Sequence, residues 1–190
     1  MTKEFAAGDI FLKRRSVRLM SGERITQDEL QTIFEAFRWA PSSYNDQPWR
    51  VLYALPGTEN WKDFLNFLEE GNRKWAERAS VLMVVLAKKY LDHKYREATH
   101  HWFDCGAACQ NLALQASEFG LATCTIGGFD RSSTRQKLEV PEYFDIPVMI
   151  AVGRCKKEIS DKLRSVRKKV EDIFAEGSFS CAWEKGKENL

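Results

Sequence analysis

The sequence has no long apolar run and little net charge. Its longest apolar stretch, residues 81–87, is far shorter than the roughly 20 residues that a membrane-spanning helix needs. Lys and Arg total 29 against 27 Asp and Glu, a formal net charge of +2. This balance gives no general electrostatic argument for a nucleic-acid partner or a membrane surface, and we expect neither.

The cysteines form no C-x-x-C motif. The five of them are scattered at positions 105, 109, 124, 155 and 181, which argues for reduced thiols and against a disulfide framework. The first residues, 1–5, contain no apolar signal region, so we expect a cytoplasmic protein. No repeat or linker divides the 190 residues, and a single domain over residues 1–190 is therefore predicted.

The hydrophobic pattern predicts helices mixed irregularly with strands. Too few regular strand–helix units occur for a doubly wound sheet, so the fold class is α+β, a central mixed β-sheet wrapped by helices. Helices are predicted over 4–13, 26–40, 61–71, 100–119 and 132–138, and strands over 51–55, 80–87, 122–126 and 147–153.

Several local signals support these assignments. Thr26 to Glu29 has the sequence of a capping box, and the run 80–87 is continuously apolar, as in a strand buried on both faces. Gly71 is predicted to stop the third helix, and Ser132 or Ser133 to cap the last one. In the first helix, Phe5, Ile10 and Phe11 are predicted to point inward.

The helix over 100–119 is rich in small residues along its middle. Small side chains allow close approach of a second helix, either within one subunit or in the core of a dimer, and the residues alone leave both interpretations open. Lys88 to Thr99 is polar and is predicted to be a surface segment or a lid.

The segment Pro41 to Arg50 is the most informative part of the chain. It combines two prolines, two serines, an Asn, a Gln and a Trp in ten residues. Proline makes such a loop stiff, the polar side chains supply donors and acceptors, and Trp49 supplies a flat apolar wall. A planar ligand with polar edges is the kind of molecule that suits it.

Two other segments are candidates for ligand binding. Arg14, Arg15, Ser16 and Arg18 place three guanidinium groups and a hydroxyl within five residues, a composition suited to phosphate. Gly127 and Gly128 close a predicted strand, where glycine permits close backbone approach. His101, Cys105 and Cys109 share a helical stripe, but we expect no metal, because no further ligand is evident.

The segments R-R-S-V-R at 14–18, P-S-S-Y-N-D-Q-P-W at 41–49 and G-G-F-D at 127–130 occur in this order. In this combination the chain resembles the FMN-dependent nitroreductase family, from about residue 10 to about residue 170. The resemblance implies an intertwined homodimer with two FMN molecules in the interface, each held by both subunits. It also implies that hydride passes from NADH or NADPH to flavin N5, and that electrons then pass to a nitroaromatic, a quinone or a similar small acceptor in a ping-pong cycle.

Position by position, the resemblance implies a set of cofactor-binding residues. Arg14, Arg15, Ser16 and Arg18 would meet the phosphate and the pyrimidine edge of the flavin, and Lys162 and Arg164 the phosphate. The partner subunit would contribute its own copies of Pro41, Ser42, Ser43, Asn45 and Gln47. Asn72 would contact the polar edge of the ring, and Gly127 and Gly128 would bring a backbone N–H to N5. Trp75 stands where some members have a basic residue.

The flavin performs the redox chemistry in such a protein. No side chain is required as an acid or a base, so we assign no catalytic residue and no metal ligand. Two alternatives stay open on the sequence. One is a flavin reductase with a narrow substrate such as an enone or a quinone, and the other is a non-catalytic flavin-binding or regulatory protein.

Overall fold

The computed structural model describes residues 7–92, 96–156 and 165–179. The chain divides into two compact units, residues 1–158 and 159–190. In the second unit, the described residues contain one short 3-10 turn, Val170–Asp172. Lys162 and Arg164 lie outside the described residues.

The first unit is built on one five-stranded sheet. Its strands are β1 (Trp49–Ala54), β2 (Val81–Lys88), β3 (Leu121–Ile126), β4 (Phe144–Asp145) and β5 (Met149–Arg154). The order is β1-β2-β5-β3, with β4 paired to β2. All four strand pairings are antiparallel. Among the described residues, the parallel component of the predicted mixed sheet is limited to one bridge, Ser16 to Thr123.

The helices of the first unit surround this sheet. They are α1 (Asp9–Lys13), α2 (Gln27–Arg38), α3 (Trp61–Phe67), α4 (Glu70–Ala76), α5 (His101–Glu118) and α6 (Arg131–Lys137). The α+β fold class is therefore confirmed. No helix in the described ranges is both long enough and apolar enough to cross a membrane.

Helix α2 forms where the sequence predicts it. The Thr26 hydroxyl accepts a hydrogen bond from the Glu29 N–H at 3.1 Å, and the Glu29 carboxylate accepts one from the Thr26 N–H at 2.7 Å. Leu30, Ile33 and Phe37 are buried at helical spacing and face the core. Arg154 at the end of β5 then ties Glu29 to the sheet at 2.8 Å.

Strand β2 is the centre of the core, as its apolar run predicts. Its residues from Val81 to Ala87 are all buried. Val81, Met83, Val85 and Ala87 belong to the cluster that includes α2 and α5, while α3 also contacts the strand. Burial of each of the Val and Met side chains stabilises the fold by about 1.5–3 kcal/mol.

The sheet topology places two of the candidate segments at one end of the sheet. Trp49 pairs with Ala87, and Ile126 pairs with Met149, which itself pairs with Val84. The loop before β1 and the glycines after β3 therefore leave the sheet at the end where β2 finishes. Because β1 and β3 are separated by two strands, they lie about 14 Å apart.

The region of Gly71 differs from its prediction. Gly71 lies inside α4, and α3 ends earlier, at Phe67. The Arg73 guanidinium donates hydrogen bonds to the carbonyl oxygens of Leu65, Asn66 and Leu68. A side chain of α4 thus satisfies the terminal carbonyl groups of α3, and no glycine is needed there.

Two other helix predictions need correction. The cap of α6 is Asp130, whose side chain accepts from the Ser133 N–H at 3.0 Å, and not Ser132 or Ser133. Helix α1 begins at Asp9, and Phe11, predicted to be inward, is 58% exposed. A five-residue helix is too short to present a continuous apolar face to the core.

The capping box allows a test within a single helix. We expect Thr26→Ala to lower the free energy of unfolding by about 1 kcal/mol, because the Glu29 N–H loses its acceptor. Thr32→Ala is the matched control. Thr32 is exposed in the middle of α2 and donates to the Asp28 carbonyl, so Ala should be neutral or slightly stabilising there. Urea unfolding of both variants tests this, and equal effects would contradict the assigned cap.

Candidate functional site

Residues 14–18 run alongside the edge strand β3. The Val17 N–H donates to the Thr123 carbonyl at 2.8 Å, and Ser16 forms the bridge with Thr123. Val17 is buried, whereas Ser16 and Arg18 are exposed on either side of it. Backbone pairing therefore fixes the segment while its polar side chains point away from the core.

Arg18 lies over the indole of Trp75, with its guanidinium carbon 5.9 Å from the ring centroid. This cation–π contact joins the 14–18 segment to α4. Burial raises the pKa of the nearby Cys124 thiol, while a hydrogen bond and the positive charge from Arg18 act in the opposite direction. Arg18 thus borders both β3 and α4.

Asn72, also on α4, contacts the glycine pair. Its Nδ2 donates to the Gly128 carbonyl at 3.0 Å, and the Glu69 N–H donates to the same oxygen at 3.3 Å. The Asp130 N–H donates to the Phe67 carbonyl at 2.8 Å. The segment after β3 is therefore fastened to the junction of α3 and α4, and the predicted residues Arg18, Asn72 and Gly128 lie around one helix.

The two glycines have different surroundings. A Cβ atom on Gly128 would lie 2.6 Å from Glu69 Oε2 and 2.9 Å from Asn72 Nδ2, but a Cβ on Gly127 would meet nothing within 4 Å. Gly128 is thus explained by packing against α4. The space above Gly127 is open to a ligand.

The loop 41–48 has an unusual backbone. Tyr44, Asn45 and Gln47 adopt φ values of 55°, 55° and 49°, in the left-handed region that costs a non-glycine residue about 1–2 kcal/mol. The Ser42 hydroxyl accepts from the Gln47 N–H at 3.0 Å. Backbone strain of this kind persists only where the surroundings determine the conformation, which agrees with the stiffness predicted for this loop.

Three hydrogen bonds anchor this loop to its surroundings, in addition to the contact of Arg96 with Tyr44. Asp104 on α5 accepts from the Ser43 N–H at 3.1 Å, Asp46 accepts from the Asp92 N–H at 3.0 Å, and the Lys88 N–H donates to the Pro48 carbonyl at 2.8 Å. The loop is thus held by α5 and by the end of β2. The 14–18 segment is held by β3 and α4, so one chain presents two separately anchored groups of predicted ligands.

Two cavities adjoin these groups. One of about 580 Å³ lies between the loop and the start of α5 and is lined by Ser43, Tyr44, Asp46, Pro48, Leu91, Arg96, Glu97, Ala98, Thr99, His100, His101 and Asp104. A smaller one of about 280 Å³ is lined by Arg14, Trp102, Cys105, Gly106, Cys109, Gln110, Ala113, Thr123, Thr125, Pro147 and Val148. Arg14 thereby shares a cavity with α5 and β3.

The start of α5 is fixed by a charged network that the sequence did not predict. His101 Nε2 lies 2.8 Å from Asp145 Oδ2, and its Nδ1 lies 2.5 Å from the Ala98 carbonyl. Trp102 Nε1 donates to the same Asp145 oxygen at 2.7 Å. Both ring nitrogens of His101 therefore lie against oxygen atoms, which fixes the orientation of the ring.

Cys105 of α5 is buried and Cys109 is partly buried, and burial raises the pKa of Cys105 to about 12 and that of Cys109 to about 11. The Cys105 thiol donates weakly to the Leu86 carbonyl. Burial therefore disfavours the thiolate, which is the reactive and metal-binding form, at both positions.

The Asp145 network predicts a pH dependence of stability. Burial raises the pKa of Asp145, but hydrogen bonds from His101, Trp102 and Lys89 outweigh it and hold the pKa below the ordinary 3.8. A carboxylate with a lowered pKa stabilises the folded protein at every pH above its ordinary pKa. This stabilisation is lost as the pH falls through the lowered pKa of the folded state. Asp145→Asn should therefore lower the melting temperature at pH 7, by an amount that shrinks below about pH 4.

Glu142→Gln is the matched control, because Glu142 is a nearby carboxylate that is 88% exposed. Thermal unfolding from pH 7 down to pH 3 should show almost no change for this variant. A deficit in Asp145→Asn that stays constant across the series would contradict the proposed charge network.

Comparisons with known proteins agree with this geometry. A solved structure described as an oxidoreductase containing FMN is 34% identical and superimposes with a TM-score of 0.86 over 94% of this chain and 95% of that one. The oxygen-insensitive NADPH nitroreductase of Helicobacter acinonychis is 29% identical over 177 residues, 73% of this chain and 82% of that protein.

The NADH dehydrogenase of Thermus thermophilus is 25% identical over 174 residues, 75% of this chain and 83% of that protein. The sequence model of the nitroreductase family matches residues 11–60 and 54–154. The resemblance found in the three sequence motifs is therefore confirmed: this chain belongs to the nitroreductase family.

Proposed function

We propose that this chain is an FMN-dependent oxidoreductase that uses NADH or NADPH as electron donor and reduces a nitroaromatic, a quinone or a similar small acceptor. Family membership supports the enzyme class. The solved relative that contains FMN supports the cofactor, and the names of two relatives include NADPH and NADH. The observation that carries the proposal is the hydrogen bond at 3.0 Å that joins Asn72 to Gly128, because it unites two predicted ligand segments.

The residues present suit FMN. Trp75 Nε1 is buried and has no acceptor among the described residues. The site therefore contains an unused N–H donor, which suits FMN because the flavin ring carries carbonyl oxygens. Gly127 has open space where its Cβ would be, which accommodates a flat ring. The arginines of the 14–18 segment supply positive charge suited to a phosphate. In this assignment Arg14, Arg15, Ser16 and Arg18 hold the phosphate and the pyrimidine edge.

We further propose that the remaining ligands come from a second copy of the chain. Pro41, Ser42, Ser43, Asn45 and Gln47 of one subunit would complete the site formed by Asn72, Gly127 and Gly128 of the other. The separate anchoring of the two groups supports this arrangement, as does the spacing of about 14 Å between the edge strands that carry them. In this proposal residues 1–190 act as a single FMN-binding domain.

Helix α5 offers a surface for such a dimer. Its buried side is formed by Cys105, Ala108, Leu112 and Ala116, which leaves the opposite side open. There Trp102 and Phe103 are 50% and 79% exposed, and Gly106 has nothing within 4 Å of its Cβ position. On the adjoining α1, Phe11 and Leu12 are also exposed. Apolar exposure combined with a small residue favours close packing of another subunit.

When bound, FMN would supply hydride acceptance at N5 and onward electron transfer to the second substrate in a ping-pong cycle. The chain contributes binding and orientation. A backbone N–H of the segment after β3 would orient the ring, and the positive charge of Arg18 would favour negative charge near the pyrimidine edge. No side chain of the described site is assigned as acid or base.

Anaerobic spectroscopy tests the activity. The purified protein loaded with FMN should lose its visible flavin absorbance on addition of NADH or NADPH and regain it on addition of a nitroaromatic or a quinone. A flavin-loaded protein that stays yellow with both nucleotides would favour the non-catalytic flavin-binding alternative. Reoxidation by a single acceptor class in a wide screen would favour the narrow-substrate alternative.

The phosphate and ring-edge assignment predicts the effect of removing Arg18. Arg18→Ala should weaken FMN binding by about tenfold or more, because a hydrogen bond to a charged group contributes about 1.5–3 kcal/mol. Arg14→Ala should likewise yield folded protein with a lower flavin content. Arg38→Ala is the matched control for Arg18, since Arg38 also lies over a tryptophan, Trp39, at 5.1 Å. Flavin fluorescence titration measures the FMN affinity of all three variants. Wild-type affinity in Arg18→Ala would refute the assignment of Arg18 to the FMN site.

The dimer proposal predicts that no stable flavin-loaded monomer exists, because half of each site would be missing. Wild-type protein should sediment as a dimer at low micromolar concentration, whereas Gly106→Arg should be monomeric and poor in flavin. Gly71→Arg is the matched control, because Gly71 is also an exposed helical glycine with nothing within 4 Å of its Cβ position. A dimeric Gly106→Arg protein would contradict the assigned interface.

A further inference from the structure

Asp104 is a charged residue in an unfavourable place. It is 5% exposed, and among the described residues it is the only charged side chain in the buried class. Burial of a carboxylate is costly unless hydrogen bonds compensate for the lost water. Asp104 lies in the first turn of α5, where the helix dipole favours a negative charge, and the Ser43 N–H donates to it.

The partner of this carboxylate is the loop proposed to bind FMN. Residues 43 and 104 are 61 positions apart in sequence, so the contact is a tertiary one. Ser43 lies directly before Tyr44 and Asn45, the first two left-handed residues of the loop. A carboxylate oxygen is a strong acceptor for a backbone N–H, and it fixes the backbone at the point where the strained conformation begins.

The other contacts of the loop do not replace this one. The bond between Ser42 and Gln47 is internal to the loop, so it cannot position the loop relative to the rest of the subunit. Asp46 anchors the far half of the loop to Asp92. Tyr44 accepts a hydrogen bond from Arg96 at 3.2 Å, but Arg96 lies outside the helices and strands. Among the contacts described for Ser42 and Ser43, the Asp104 bond is the one that ties the start of the loop to a regular helix.

We propose that Asp104 is a positioning residue for the cofactor. By holding the Ser43 N–H, it keeps Ser42, Ser43 and the residues up to Gln47 in the conformation that binds the FMN of the partner subunit. This inference rests on the function proposed above. Asp104 does not touch FMN; it acts by reducing the number of conformations that the free loop explores, so that less ordering is required on binding.

Three substitutions at one position test this role. Asp104→Asn keeps the size and an acceptor oxygen, so its FMN dissociation constant should stay within about threefold of wild type. Asp104→Leu keeps the size and removes the acceptor, and it should weaken FMN binding at least tenfold. If the Leu variant does not fold, Asp104→Ala replaces it, because Ala also removes the acceptor. Asp28→Leu is the control, since Asp28 is an exposed carboxylate in the first turn of α2, and its affinity should not change.

A double-mutant cycle separates positioning from a general loss of stability. Ser43→Pro removes the N–H that Asp104 accepts, and Ser42 already has the extended backbone that precedes a proline, with φ −146° and ψ 159°. If Asp104 acts through this N–H, adding Asp104→Leu to Ser43→Pro should weaken FMN binding no further. The midpoint potential of any bound flavin should match wild type, because Asp104 does not contact the ring.

The outcomes separate this inference from the function on which it rests. Wild-type affinity in Asp104→Leu, or additive losses in the cycle, would overturn the positioning role while Arg18→Ala still weakens FMN binding. Equal losses in the Asn and Leu variants would also overturn it, since the acceptor would then be irrelevant. A wild-type protein that binds no FMN would overturn both proposals.

Discussion

Asn72 reaches from α4 to the carbonyl oxygen of Gly128 and donates a hydrogen bond of 3.0 Å. The half of the proposed site that surrounds α4 depends on this contact, because it fixes the segment after β3 against the helix that also carries Trp75 beneath Arg18. Gly128 is required for the approach, since a Cβ there would lie 2.9 Å from Asn72 Nδ2. Gly127, one residue earlier, is left with open space. Packing within the chain thus explains one glycine and leaves the other available to a ligand.

The second half of the proposed site is built on a different principle. The loop 41–48 takes three non-glycine residues into the left-handed region, which is stable only where the surroundings determine it. Those surroundings are α5, through Asp104, and the segment that follows β2. The two halves leave the same end of the sheet from opposite edge strands. A ligand that needs both halves is therefore best served by two chains, and this is the physical basis of the proposed dimer.

Much of this arrangement could be predicted from sequence where a residue type has one dominant role. The capping box at Thr26 and the fully buried strand β2 follow from local patterns, and the family follows from three ordered motifs.

Prediction from the sequence failed where a distant side chain decides the structure. Gly71 resembled a helix stop, but Arg73 satisfies the carbonyl groups of α3 instead. Strand β4 has two residues, too few for any periodicity. Asp104 precedes a cysteine in a helix of small residues, and nothing in that pattern indicates its partner at Ser43. The ligand roles of Arg14 to Arg18 and of the loop remain predictions.

The central claim is that two copies of the chain together hold FMN, one molecule for each chain. Calorimetric titration of the flavin-free protein with FMN tests this most directly, when it is combined with sedimentation of the same sample. Binding should saturate at one FMN per chain in a dimer, and the sample should show the visible absorbance of a bound flavin. Absence of both heat and bound absorbance with FMN in large excess would contradict it, as would a monomer that binds FMN at full stoichiometry.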